Sequence, residues 1–128
     1  MKTRFASVTG LLALFLAVPA LPQDSSITRV DGGLWELSVP GSVRAPVRMC
    51  APDPSLLAQV AHRDKQCTRV VIASEGKETT IHYTCTGSGF GRTNVQVVTP
   101  RSLRIATQGI NNGAPFNRVY HARRVGSC

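Results

Sequence analysis

"CTRVVIASEGKETTIHYTC", residues Cys67 to Cys85, carries a cysteine at each end and Gly76 at its midpoint. Two chemistries use such a stretch: the loop of a metal or redox site, or a hairpin with a covalent base. The residues flanking Glu75-Gly76-Lys77 are β-branched and aromatic on both sides, the types that fit a pleated strand. Glycine supplies the positive φ that a tight reversal needs. Folding the strands about Gly76 sets Cys67 opposite Cys85, Val71 opposite Ile81 and Arg69 opposite Tyr83. Facing residues of an antiparallel ladder lie about 4.5–5.5 Å apart at Cα, within reach of a disulfide. The stretch therefore reads as a stapled hairpin, with a register that a three-residue loop would shift by a residue or two.

The rest of the chain supports the staple over the metal. Its four cysteines, Cys50, Cys67, Cys85 and Cys128, are separated by 17, 18 and 43 positions. Zinc and dithiol redox sites favour close pairs such as C-x-x-C, and none is present. The chain opens with "MKTRFASVTGLLALFLAVPALPQ". Basic residues, a short apolar run and a small-residue end at Val18-Pro19-Ala20 have the layout of a cleaved secretory signal. The predicted signal peptide is 1–20, with a flexible lead over 21–32 and one domain over 33–128. The apolar run is shorter than the ~20 residues of a membrane span, so no transmembrane span is expected in the mature form. No cysteine follows the run to carry a lipid. The expected location is periplasmic or secreted, where four cysteines read as two disulfides. Of the three connectivities, Cys67–Cys85 with Cys50–Cys128 is the expected one.

Period-two alternation marks the other strands. "GGLWELSV" (32–39) alternates, with Trp35, Leu37 and Val39 on one side, so Trp35 is read as core. "VRAPVRMC" (43–50) is a second strand, which Pro46 confines to an edge or a bulge. "DPSLLAQVAHR" (53–63) breaks the pattern. With Asp53 as N-cap and Pro54 at the first turn it predicts one short helix, 54–63, burying Leu56, Leu57, Val60 and Ala61. "TGSGFG" (86–91) is read as a loop, and "RTNVQVVT", "SLRIATQG" and "FNRVYHARRV" as strands, the last two joined at Asn111-Asn112-Gly113. The expected fold is mainly β: an antiparallel meander of about seven strands with one short helix and two disulfides. Two architectures fit, a curved open sheet closed by the helix and a small barrel.

Gly33-Leu34-Trp35-Glu36 near the start, four spaced cysteines, and the ending Arg123-Arg124-Val125-Gly126-Ser127-Cys128 together resemble one family. It is the small secreted bacterial family catalogued as domain of unknown function 3617, over about Gly33 to Cys128. The resemblance implies a periplasmic or secreted location and brings no activity, ligand or catalytic residue.

Charge is the informative surface feature. All seven acidic residues lie between Asp24 and Glu78, whereas Thr79–Cys128 holds Arg92, Arg101, Arg104, Arg118, Arg123 and Arg124 and no acid. Guanidinium forks suit phosphate and carboxylate. These six arginines are the candidate contacts for an anionic envelope component, a lipid or glycan, or for an acidic protein. The plain alternative is a solvated basic face. Few aromatics and no recognisable module speak against nucleic acid. Catalytic parts are thin: no G-x-S-x-G elbow, no free thiol once both bridges form, and no acid in the last fifty residues. His62, His82 and His121 have no ligand spacing, and neither metal nor cofactor is expected. The leading expectation is a non-enzymatic binding module for an anionic or amphipathic envelope ligand. The alternative is a proteinaceous inhibitor of a hydrolase such as a lysozyme, offering "TGSGFGRT" (86–93) as its loop.

Overall fold

The computed structural model describes residues 17–19 and 24–128. The expected signal segment and its cleavage point fall almost wholly outside the described residues. Seven strands form one antiparallel sheet: β1 (Gly33–Ser38), β2 (Val47–Ala51), β3 (Cys67–Glu75), β4 (Glu78–Cys85), β5 (Gly89–Thr99), β6 (Ser102–Asn111) and β7 (Ala114–Gly126). Their order is β2-β1-β7-β6-β5-β4-β3. From β3 to β7 every strand lies beside its predecessor, because each connection is a short turn that leaves no room for a crossover. The two end strands, β2 and β3, do not pair with each other. The sheet is open, which decides between the two architectures.

Cys67 faces Cys85, Val71 faces Ile81 and Arg69 faces Tyr83, as the sequence predicts. The turn itself is different. Glu75 pairs with Glu78, so the reversal is the two-residue Gly76-Lys77, and a bulge between Val71 and Ala73 restores the register below it. A bulge adds one residue to one strand, which here offsets the displacement of the turn from Gly76. The β6–β7 turn is Asn112-Gly113, both residues at positive φ (49° and 80°), the conformation that matches strand twist in two-residue hairpins. β2 starts after Pro46 rather than at Val43, since proline has no N–H to give the ladder.

Alternation sorts the sheet into two faces. The inner face carries Trp35, Leu37, Met49, Ala51, Val95, Val97, Leu103, Ile105 and Ala122, which form one buried cluster with Leu57 and Val60. Trp35 is fully buried, and its indole N–H donates to the Asp31 carbonyl (3.2 Å). Residues Pro54–His62 lie across this face. Asp53 caps them by accepting from the Ser55 N–H (2.9 Å). They wind as a 3-10 helix kinked at Gln59 rather than as a regular α-helix. The buried Gln59 amide donates to the carbonyls of His62 and Lys65 and accepts from the Arg69 guanidinium. Arg69 also donates to Ser55 Oγ (3.1 Å), and the helix packs against β2, β4, β5 and β6. It thereby packs against the β2 edge and is tied to the β3 edge through Arg69.

The segment before β1, read from the sequence as a flexible lead, is packed from Ser26 onward. Ser26–Arg29 forms a 3-10 turn with Ser26 and Ile27 buried, and Ser26 Oγ lies 2.8 Å from Thr79 Oγ1. Val30 joins the core, and the Asp31 N–H bonds the Pro100 carbonyl (2.9 Å). Each disulfide fastens one sheet edge: Cys67–Cys85 holds β3 to β4, and Cys50–Cys128 holds β2 to the chain end after β7.

Candidate functional site

The outer face of the sheet is the uncovered one. Its side chains come from the positions that alternate with the core. The cross-strand registers place them in rows: Val70, His82, Arg92, Gln108 and Asn117 in one; Thr84, Phe90, Ile110 and Pro115 on one side of it; Thr80, Asn94, Ala106 and Val119 on the other.

Two adjoining depressions lie on these rows. The first, about 350 Å³, is lined by Thr80, Asn94, Gln108 and Asn117 around the small Ala106. The second, about 450 Å³, is lined by His82, Phe90, Ile110 and Phe116. Arg92 and Gln108 border both. The first depression is lined mostly by polar side chains over a surface that is about half apolar. The second is mainly apolar, with the His82 and Phe90 rings tilted against each other at 31° and 6.2 Å between centroids. Both volumes fall in the usual range for small-ligand sites, roughly 300–1,000 Å³. Arg92 is exposed and has no carboxylate within ion-pairing distance among the described residues.

The six arginines singled out in the sequence do not form one patch. Arg92, Arg104 and Arg123 share the outer face. Arg104 belongs to the row of Gln96 and His121, four residues along β6 from the neighbour of Arg92, or about 13 Å at strand rise. Arg123 Nη2 lies 3.6 Å from Glu36, which also holds Arg48 at 3.3 Å. Arg101 sits in the β5–β6 turn, 3.6 Å from Asp31. Arg118 and Arg124 belong to the opposite face, where Arg118 faces Thr107 and Arg124 Nε donates to the Gly32 carbonyl (2.8 Å). What remains at the depressions is a single unpaired guanidinium.

Beneath the second depression lies a buried polar chain. Tyr83 and His62 are both buried, with His62 Nδ1 2.9 Å from the Tyr83 oxygen. The His62 ring meets Tyr83 and Phe116 edge to face, and among the described residues its Nε2 has no hydrogen-bond partner. Burial pushes the Tyr83 phenol up to about 12, with the Thr107 hydroxyl opposing and Tyr120 adding to the rise. The Thr93 hydroxyl gives its one proton to the Ala58 carbonyl (2.6 Å). Its 2.7 Å contact with Thr107 is therefore one that the Thr107 proton fills. His62 is the last residue of the 3-10 helix, and its side chain is buried.

Sequence reasoning found Arg92 and missed its surroundings. Gly89–Gly91 belong to β5 rather than to a loop, and the only turn in "TGSGFGRT" is Thr86–Ser88. Once β5 starts at Gly89, alternation puts Phe90 beside Arg92 on the outer face. His82, Gln108 and Asn117 follow from the hairpin registers. Among the described residues no helix is long and apolar enough to cross a membrane. Comparison with protein-family models, with curated proteins and with solved structures finds no match to this chain.

Proposed function

We propose that the protein is a non-enzymatic binding module of the cell envelope, periplasmic or secreted, that holds an anionic amphiphile on the open face of its sheet. The supporting observation is the position of Arg92, unpaired and exposed at the rim of a mainly apolar depression whose outer-face side chains are His82, Phe90 and Ile110. A guanidinium fork takes a carboxylate or phosphate in two parallel hydrogen bonds. The rings and Ile110 beside it bury hydrocarbon at ~25 cal/mol per Å². The dispersal of the other arginines favours a head with one acidic group over a polyanion. The two disulfides suit an oxidising compartment. The two motifs behind the family resemblance are neighbours in space, Trp35 facing Arg124 and Leu34 facing Gly126, which supports reading them as one unit.

Dodecanoate, titrated below its micelle concentration into the purified oxidised protein and followed by amide NMR, tests the reading. Shifts are expected on β4, β5 and β6 around His82, Phe90, Arg92 and Ile110, with affinity about tenfold lower in Arg92→Gln. Shifts confined to other surfaces, or none, refute it.

A further inference from the structure

The first depression is larger than a simple acid head requires. A fatty-acid carboxylate is satisfied by Arg92 alone, and a phosphate, which only accepts hydrogen bonds here, would use the carboxamides through their N–H groups and leave their carbonyl oxygens without a donor. Yet the depression presents three carboxamides and a hydroxyl, those of Asn94, Gln108, Asn117 and Thr80. Each carboxamide both donates and accepts, and so does each sugar hydroxyl. Asn117 follows Gln108, and Gln108 follows Arg92, across three adjacent strands. Two amides thus continue the row from the guanidinium at strand spacing, about 5 Å apart. Ala106, facing Asn94 on one side and Val119 on the other, leaves the floor open. The Asn94 amide lies 3.5 Å from Glu78 and from Thr80 Oγ1, so a carboxylate borders the far side and repels a second anionic group. The tilted His82–Phe90 pair flanks the guanidinium with flat apolar surface.

We infer that this depression is a subsite for a carboxylated sugar ring, so that the ligand is an amphiphile headed by a uronic acid: acid on Arg92, ring hydroxyls on Gln108, Asn117, Asn94 and Thr80, and chain over Phe90 and Ile110. The inference rests on the binding reading above and adds the head group to it. Its test compares dodecyl β-glucuronide, dodecyl β-glucoside and dodecanoate on the purified protein. The glucuronide is expected to bind at least tenfold more tightly than either of the others. The double variant Asn94→Ala/Asn117→Ala is expected to bring it down to the level of dodecanoate and to leave dodecanoate itself unchanged. Equal affinity for glucuronide and dodecanoate, with no effect of the amide substitutions, overturns the sugar subsite while the amphiphile site stands. Absence of binding by all three overturns both.

Discussion

Tyr83 lies under β5 because position 91 has no side chain. A Cβ on Gly91 would stand 2.4 Å from the phenol ring, a distance no side chain tolerates, so the aromatic and the glycine facing it across β4 and β5 are one choice. The ring brings its hydroxyl to His62. Replacing Tyr83 by Phe keeps the packing and orphans the second imidazole nitrogen, and an unsatisfied buried group costs about 1–3 kcal/mol. That is the loss expected at pH 7 for Tyr83→Phe in urea unfolding. The pH dependence has a definite sign. In the unfolded chain the phenol ionises near its ordinary value of 10, whereas in the fold it does so at about 12. Between these values the unfolded state has lost a proton that the native state still holds, so native stability falls as pH rises. The fall reaches on the order of 2 kcal/mol by pH 12. Tyr83→Phe lacks this term, and the gap between the two proteins should therefore shrink from pH 10 to pH 12. A constant gap would mean that the phenol titrates as it does in water.

Both edges of the sheet are guarded at the level of the element. An unpaired strand edge invites a second chain. β3 carries Val70, Val71 and Ile72 about half exposed, and the bulge at Ile72 and the inward Arg69 blunt that invitation. β2 is short and follows Pro46. The disulfides then act as edge clamps. Closing the loop between Cys67 and Cys85, 18 residues apart, removes about 3 kcal/mol of unfolded-state entropy. Closing the 78-residue span from Cys50 to Cys128 removes about 4.5 kcal/mol. The pair Cys67→Ser/Cys85→Ser should lose roughly that smaller amount, and hydrogen exchange should show the protection lost first on β3 while β5 and β6 keep theirs. A uniform loss over the sheet would contradict the clamp. Strands and hairpin registers were legible because each depends on neighbouring residues: alternation around Trp35, Asn112-Gly113 at a turn, two cysteines equidistant from a glycine. The kinked 3-10 winding of residues 54–62 was not. It depends on Gln59 reaching Lys65 and on Arg69 arriving from another element, and no local pattern encodes either contact.

On the scale of the whole molecule, the arginine excess of the C-terminal half was plain in the sequence, and its distribution was not. β5 and β6 put Arg92 and Arg104 on the outer face, and β7 separates Arg123 from Arg118 and Arg124, so a run that looks like a basic patch in the chain divides when the strands are laid side by side. Arg124 goes to a backbone carbonyl, Arg101 and Arg123 to carboxylates. This division gives a controlled experiment. A basic protein attracts any anion at long range, and that attraction depends on net charge and falls with salt. A site depends on one residue in one place. Arg92→Glu and Arg118→Glu change net charge equally, both residues are exposed, and they lie on opposite faces of the sheet. If the outer face holds the ligand, Arg92→Glu should weaken dodecanoate binding by about a hundredfold, because an attractive contact becomes a repulsive one. Arg118→Glu should change it by less than twofold at 150 mM salt, where charges beyond about 8 Å are screened. Equal losses in the two variants, both vanishing in high salt, would show that the protein gathers anions by its overall field and that the depressions around Arg92 are incidental to it.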